Sequence, residues 1–321
     1  MPISHTSVAR CYRYLLGRDP ESELVVSRKA RGCRNIWELI EEIVKSPEYR
    51  NRIDQTAPPL SLDVPAGRID IDASSADLEA LRQIMQRGWE RLGRDEPYRS
   101  VITASEHKGA PESAGTTGFW ASGEAIVGSI VRILARHGMD ALGDKTCIDL
   151  GCGVGRLTAP LANRFHSVHG YDVSSTHLDV ARRQLARHTN VELTRVAALP
   201  LRLPRAEVVV SLIVLQHNPP PIIGQLIEAA LACLEPGGIA LFQVPTYEPG
   251  YTFDLASYLD THRQQREAAG MEMHCIPQRQ VFAIVAAAGC HVLEVREDNL
   301  TGRWGKSVSN TFLVGAGAPA R

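Results

Sequence analysis

The amino-acid sequence predicts an α/β protein: a doubly wound, mostly parallel seven-stranded sheet ending in an antiparallel hairpin, preceded by a small all-α module. Three observations carry this. From Lys145 onward, short apolar runs of strand length alternate with segments of 3.6-residue periodicity, the pattern of a parallel sheet covered on both faces. The last two runs, "HVLEVRE" and "SNTFLVGA", are joined by "DNLTGRWGKSV", which holds no helical pattern, so these two strands should pair antiparallel. Before residue 56, apolar residues recur only at helical spacing.

The elements follow in order. In "VARCYRYLLGRDP", Val8, Tyr12, Leu15 and Leu16 share a helix face, and Gly17 suits its end. "NIWELIEEIVKSPEY" opens with Asn35 and Glu38 at capping-box spacing and continues with Ile36, Leu39, Ile40, Ile43 and Val44 in helical period. "QTAPPLSLDVPAG" is Pro-rich and aperiodic, a linker. "ADLEALRQIMQRGWERLG" is an amphipathic helix, "ASEHKGAPESAGTTG" (104–118) a polar, turn-rich loop, and "FWASGEAIVGSIVRILARHG" a helix with Ser122 as its expected cap. Strands are expected at "TCIDL", "SVHGYDV", "VELTRVA", "EVVVSLIVL", "GGIALFQV" and the final pair. The resulting division is a helical module at 1–55, a linker at 56–76, a helical connector and loop at 77–118, and an α/β domain at 119–321.

Bulk composition narrows the function. The 321 residues are 44% hydrophobic and 22% charged, with a net charge of −1, so electrostatics does not suggest a nucleic-acid partner. Apolar runs look too interrupted for a membrane span, and the N-terminus lacks a secretory pattern. The seven cysteines form no Cys-x-x-Cys pair and read as reduced thiols of a cytoplasmic protein.

The functional signal is "CIDLGCGVGRLT" (147–158), in which Gly151, Gly153 and Gly155 follow the first strand. In a doubly wound sheet, that loop lies where strand order reverses and ligands bind. A phosphate-binding loop would end in Gly-Lys-Ser/Thr, which is missing. A dinucleotide fingerprint would need a third glycine where Arg156 or Thr158 stands, so an NAD-linked oxidoreductase is the weaker alternative.

"DLGCGVG" resembles the first motif of class I S-adenosylmethionine-dependent methyltransferases. "GYDVS" with Asp172, "VVVSLIVLQHNPPP" and "LEPGGIALFQV" resemble later segments of that family in the right order, over roughly residues 119–315. The resemblance implies a Rossmann-like methyltransferase of EC class 2.1.1, with S-adenosyl-L-methionine as cofactor. Asp149 would lie near the ammonium, Gly151, Gly153 and Gly155 along the methionine portion, and Asp172 on the ribose hydroxyls. Leu199 would contact adenine, because Ala197 and Ala198 stand where an acid is usual, and Gln216 would bond the cofactor or acceptor. The implied reaction is methyl transfer to oxygen, less readily nitrogen, of a small-molecule or glycan acceptor; a non-catalytic cofactor-binding scaffold is the other alternative.

A hydroxyl acceptor needs a base. His217 is the candidate, with bracing of its loop as the competing reading, and Glu248 and His274 stand behind it. Tyr247 and Tyr251 join these two as acceptor-recognition candidates within the insertion 245–277. Trp120 either closes over the ligand or packs in the core. No metal is expected, since no acid accompanies Asn218, and His166 and His169 lack a third ligand nearby. "YRYLLGRDP" followed by "SPEY" resembles a helical module related to phycobilisome linker domains and found beside bacterial glycosyltransferases. That resemblance supplies the glycan hint and suggests a homo-oligomer or protein partner for the module.

Overall fold

The computed structural model describes residues 3–49, 67–98, 100–101, 116–264, 271–302 and 307–317. Most of the expected linker and of the loop 104–118 lies outside the described residues. Contacts divide the chain into two units, one holding the described residues up to 49 and the other those from 67 onward.

The first unit consists of α1 (His5–Cys11) continued by a π-helical turn (Tyr12–Leu16), α2 (Glu23–Gly32) and α3 (Ile36–Lys45). Ser4, Ser22 and Asn35 cap the three helices with side-chain oxygens. Glu38 does not close a box on Asn35; its carboxylate accepts from the Arg34 amide, one residue earlier. Val8, Tyr12, Val26, Leu39 and Ile43 form this unit's own core. Gly17 ends the first helix at φ 70°, as its position suggests. Arg18 then grips Glu48 through two nitrogens, at 2.5 and 2.7 Å, bringing "GRDP" against "SPEY".

The second unit begins with α4 (Ser75–Asp95) and α5 (Thr116–Arg136). Ser122 lies inside α5 rather than at its start, and its hydroxyl donates to the Phe119 carbonyl, because the helix begins earlier than the apolar pattern does. Gly118–Arg136 is also long and apolar enough to cross a membrane, with mean hydropathy 1.2, contrary to the expectation of interrupted runs. In this fold Val127, Ile130 and Leu134 of that helix pack on the sheet.

The sheet order is β3-β2-β1-β4-β5-β7-β6. Its strands are β1 (Thr146–Leu150), β2 (Ser167–Asp172), β3 (Val191–Arg195), β4 (Ala206–Ser211), β5 (Leu234–Tyr247), β6 (Cys290–Asp298) and β7 (Val308–Ala316). β1 to β5 run parallel, and β7 pairs antiparallel with both β5 and β6, as the helix-free connection requires. Successive residues alternate between faces. Cys147, Val208, Val210 and Leu241 meet α5 and α6 (Thr158–Ala162). Ile148, Val209, Ala240 and Phe242 face α4, α8 (Pro220–Ala232) and α10 (Gln278–Ala287). Phe242 stacks on its cross-strand partner Phe312 at 5.4 Å. Between α6 and α8 lie α7 (Ser175–Gln184) and a 3₁₀ turn (Leu215–His217); α9 (Leu255–Gln264) falls within the expected insertion.

Strand order reverses between β1 and β4, so the loops after β1 and β4 open a crevice there.

Candidate active site

The glycine loop is tied to β2. The amides of Gly151 and Cys152 both donate to the Tyr171 carbonyl, at 2.7 and 3.0 Å, and the Gly153 amide donates to Asp172 Oδ2 at 2.9 Å. Gly151 and Gly153 have φ values of 84° and 53°, left-handed conformations that other residues reach at a cost. A Cβ on Gly151 would also fall 2.3 Å from the Val214 side chain. Gly155 has a φ of 89°, and a Cβ there would meet Leu185 at 2.8 Å.

The resulting cleft is lined by Asp149, Gly151, Gly153, Arg156, Asp172, Leu199 and Asn218, with apolar walls from Leu212, Val214, Ile222 and Leu226. Asp149 is buried, and Thr158 donates to its Oδ2 at 2.6 Å. Burial pushes its carboxyl up to about 6. Asp172 also accepts from the Ser174 amide at 2.9 Å, and burial raises its carboxyl above the ordinary range.

The third wall comes from α4, which sequence reasoning missed. Arg82, Met85 and Trp89, at i, i+3 and i+7, line the cleft, as do Ser100 and Val101. The site therefore draws on residues well before the expected domain start at 119. Glu90 holds α4 against α7: its carboxylate accepts from the amides of Ser175 and Thr176 at 2.8 and 3.1 Å. His177 braces the same corner, its ring bonded to Ser174 and Ser100, each at 2.8 Å. A helical stripe shows that α4 buries a face; it does not say against what.

His217 and Gln216 sit together but not on the cleft surface. The Ile213 amide donates to Gln243 Oε1 at 3.0 Å, and Gln243 Nε2 donates to Gln216 Oε1 at 3.0 Å. Gln216 Nε2 then donates to His217 Nε2 at 3.1 Å, and His217 Nδ1 donates to the Glu272 carbonyl at 2.8 Å. A backbone N–H at one end and a backbone C=O at the other fix every donor and acceptor, including the histidine tautomer. Burial lowers the imidazole's pKa, keeping it neutral. Both ring nitrogens are hydrogen-bonded, an arrangement that fits the bracing alternative. His217 supports Trp89 edge-on, with ring centroids 5.6 Å apart.

Within the insertion, His274 bonds the Tyr251 hydroxyl at 2.8 Å and Glu272 at 3.1 Å, and Tyr258 donates to the same carboxylate at 2.8 Å. Glu248 and Tyr247 are half-buried and do not line the cleft, and the Glu248 carbonyl accepts from the Tyr251 amide at 3.1 Å. Trp120 packs edge-on against buried Phe119 at 5.2 Å. Among the described residues, no three His, Cys, Asp or Glu side chains cluster as metal ligands.

Known proteins can now be set beside this geometry. Residues 147–238 match the family model described as a methyltransferase domain. Magnesium protoporphyrin IX methyltransferase from Synechocystis PCC 6803, solved with bound S-adenosylhomocysteine, superposes with a TM-score of 0.51 at 18% identity, covering 73% of this chain and 99% of that one. The fold is that of class I methyltransferases. Two similar curated sequences are ubiquinone biosynthesis O-methyltransferases. That of Pseudomonas fluorescens (strain Pf0-1) is 34% identical over 119 residues, 36% of this chain and 50% of its own length. That of Nitrosomonas europaea is 34% identical over 112 residues, 34% of this chain and 47% of its own length. This chain spans about half the length of the curated relatives it matches.

Proposed function

We propose that this protein binds S-adenosyl-L-methionine in the cleft and transfers its methyl group to an oxygen of a small-molecule acceptor. The observation that carries this reading is the Asp172 carboxylate at the end of β2, bonded to the glycine loop and bordering the same cleft, in a sheet of class I methyltransferase order. There the carboxylate can accept ribose hydroxyls while its backbone bonds hold it in place. Leu199, Val196 and Val173 offer adenine an apolar slot without an acid. The methyltransferase match over 147–238 supports the activity, and the O-methyltransferase relatives support oxygen over nitrogen.

The sulfonium already activates the methyl carbon, so the chain's work is to align an in-line displacement and exclude water. Apolar walls from Met85, Trp89, Leu212 and Val214 serve the second task. His217 acts through position, setting Trp89 and the loop after β4. The His274–Tyr251–Glu272 cluster adjoins that brace through the Glu272 carbonyl and belongs to acceptor recognition in this reading. The N-terminal helical unit is an accessory module of the phycobilisome-linker-like kind, a reading supported by the Arg18–Glu48 pairing of its two motif segments.

Calorimetry tests the cofactor reading. Asp172→Asn keeps one oxygen acceptor but loses the charge, and should weaken S-adenosylhomocysteine binding by at least ~10-fold, since hydrogen bonds to a charged group are worth about 1.5–3 kcal/mol. Unchanged affinity overturns the assignment of Asp172. A labelled-methyl screen across phenols and sugars identifies the acceptor.

A further inference from the structure

Among the described residues, Ile213 is the one residue other than glycine with a left-handed backbone, at φ 62°. Glycine visits that region freely and Asn or Asp now and then; a β-branched side chain is poorly suited to it. Residues held in such conformations cluster at functional sites, where the surrounding structure pins them. Ile213 lies in the turn after β4 and lines the cleft.

One buried side chain pins it. Gln243 on β5 is 0% exposed, and its Oε1 accepts from the Ile213 amide at 3.0 Å. Its Nε2 donates to Gln216 Oε1 at 3.0 Å and to Ser309 Oγ on β7 at 2.7 Å. Both N–H donors of the amide group are therefore used, and its oxygen is turned towards Ile213. Anchored to β7 and to the 3₁₀ turn, the group has no freedom to swing away.

The strained turn has a visible effect. Leu212, Ile213 and Val214 all line the cleft. Along an extended strand, successive side chains alternate between faces, so three lining residues in a row need a break in the chain's path. The left-handed Ile213 is that break. It leaves Val214 against the glycine loop, where a Cβ on Gly151 would fall 2.3 Å from the valine side chain. A glycine at 213 would make the same turn without conformational cost, whereas isoleucine also brings an apolar side chain to the cleft wall.

We infer that Gln243 is a positioning residue for the proposed methyl transfer: it holds Ile213 in the left-handed turn and so sets Leu212, Ile213 and Val214 against the glycine loop. The inference rests on the S-adenosylmethionine reading and adds to it a residue that does not line the cleft. Gln243 acts through Ile213, without touching the ligand.

A coupling experiment on the full chain tests this, with S-adenosylhomocysteine as the probe, calorimetry for affinity and circular dichroism to verify folding. Gln243→Met should weaken binding by at least ~10-fold, the scale of a lost buried hydrogen bond. In an Ile213→Gly background the same replacement should cost at least ~3-fold less, because glycine keeps the turn unaided. In an Ile213→Ala background no such relief is expected, since alanine carries the left-handed cost. Glycine and alanine both remove the isoleucine side chain, so the contrast between them reads the backbone and not the packing. Ser309→Ala frees one anchor of Gln243 and should show the same pattern more mildly; it carries the test if Gln243→Met does not fold. Equal losses in all three backgrounds make Gln243 a packing element and overturn the inference. Wild-type affinity in a folded Gln243→Met overturns it too. If the wild type binds no S-adenosylhomocysteine, the cofactor reading itself fails, and this inference with it.

Discussion

The side-chain amide of Gln216 donates to Nε2 of its neighbour His217 at 3.1 Å, occupying the nitrogen that a general base would use. The bond is one link of a polarised chain from the Ile213 amide to the Glu272 carbonyl, a span with no spare acceptor at the imidazole. Ile213 itself sits at φ 62°, a rare conformation for a β-branched residue, so the chain also holds a strained turn at the cleft.

His217→Ala should therefore act on stability first. It strands the Gln216 amide and the Glu272 carbonyl in a buried site, at about 1–3 kcal/mol for each group left unmet. A lowered melting temperature and weaker S-adenosylhomocysteine binding are expected together. Burial keeps His217 neutral, so no ionisation of this residue should appear in the pH–rate profile of the wild type above pH 7. A turnover loss of roughly 10² to 10⁴ with intact stability and affinity would restore it as the base.

Gly151 and Val214 test the loop's packing. Gly151→Ala places a methyl in a left-handed residue, at about 1–2 kcal/mol, and drives it into Val214. Gly153→Ala meets Val101 only at 3.0 Å and should cost less. In urea unfolding, Val214→Ala should rescue part of the Gly151→Ala loss and none of the Gly153→Ala loss. Full additivity of Gly151→Ala with Val214→Ala would refute the contact.

Asp149 gives the fold a pH signature. Burial raises its carboxyl to about 6, above the ordinary value of about 3.9 for an unfolded chain, so the native state holds the proton more tightly. Its contribution is present in full below about pH 4 and is lost as pH rises through 6, a change on the order of 3 kcal/mol. Asp149→Asn, which still accepts from Thr158, should raise the melting temperature of the ligand-free protein at pH 8 and flatten its slope between pH 4 and 6. The same variant should gain less stability from S-adenosylhomocysteine, because an amide answers an ammonium poorly. A variant that melts lower than wild type at pH 8 contradicts the argument.

The sheet was readable because strand runs and helical stripes alternate strictly after Lys145, and because a helix-free connection leaves the last two strands no parallel option. Asp149, Gly151, Gly153, Asp172 and Leu199 line the cleft because they lie at or just after strand ends, and the family resemblance pointed to the same positions. The remainder depended on contacts between distant residues. Gln243 and Glu272 determine what His217 can do from 26 and 55 positions away, and nothing local to "LQHN" encodes them. Nothing in the local sequence says that Arg156 is buried at the cleft, because that depends on the packing of α5.

Trp89 was the most distant omission, and it offers a direct optical test. It lines the cleft from α4 and contacts the rings of His177 and His217 edge-on, at 6.1 and 5.6 Å. The chain has four tryptophans, and among the described ones, Trp37, Trp89 and Trp120, only Trp89 lines the cleft. Binding of S-adenosylhomocysteine should therefore change intrinsic fluorescence mainly through Trp89. Trp89→Phe should abolish most of that change while retaining the apolar wall, so calorimetric affinity should fall by less than about tenfold, which corresponds to 1.4 kcal/mol. Trp89→Ala removes a large half-buried ring and its edge contacts, at a cost below the about 3–5 kcal/mol of a fully buried one, and should lower both melting temperature and affinity. An undiminished fluorescence response in Trp89→Phe would show that the ligand does not reach α4. The helix would then be a structural wall of the fold, and the binding surface would have to be sought among the strand-end residues alone.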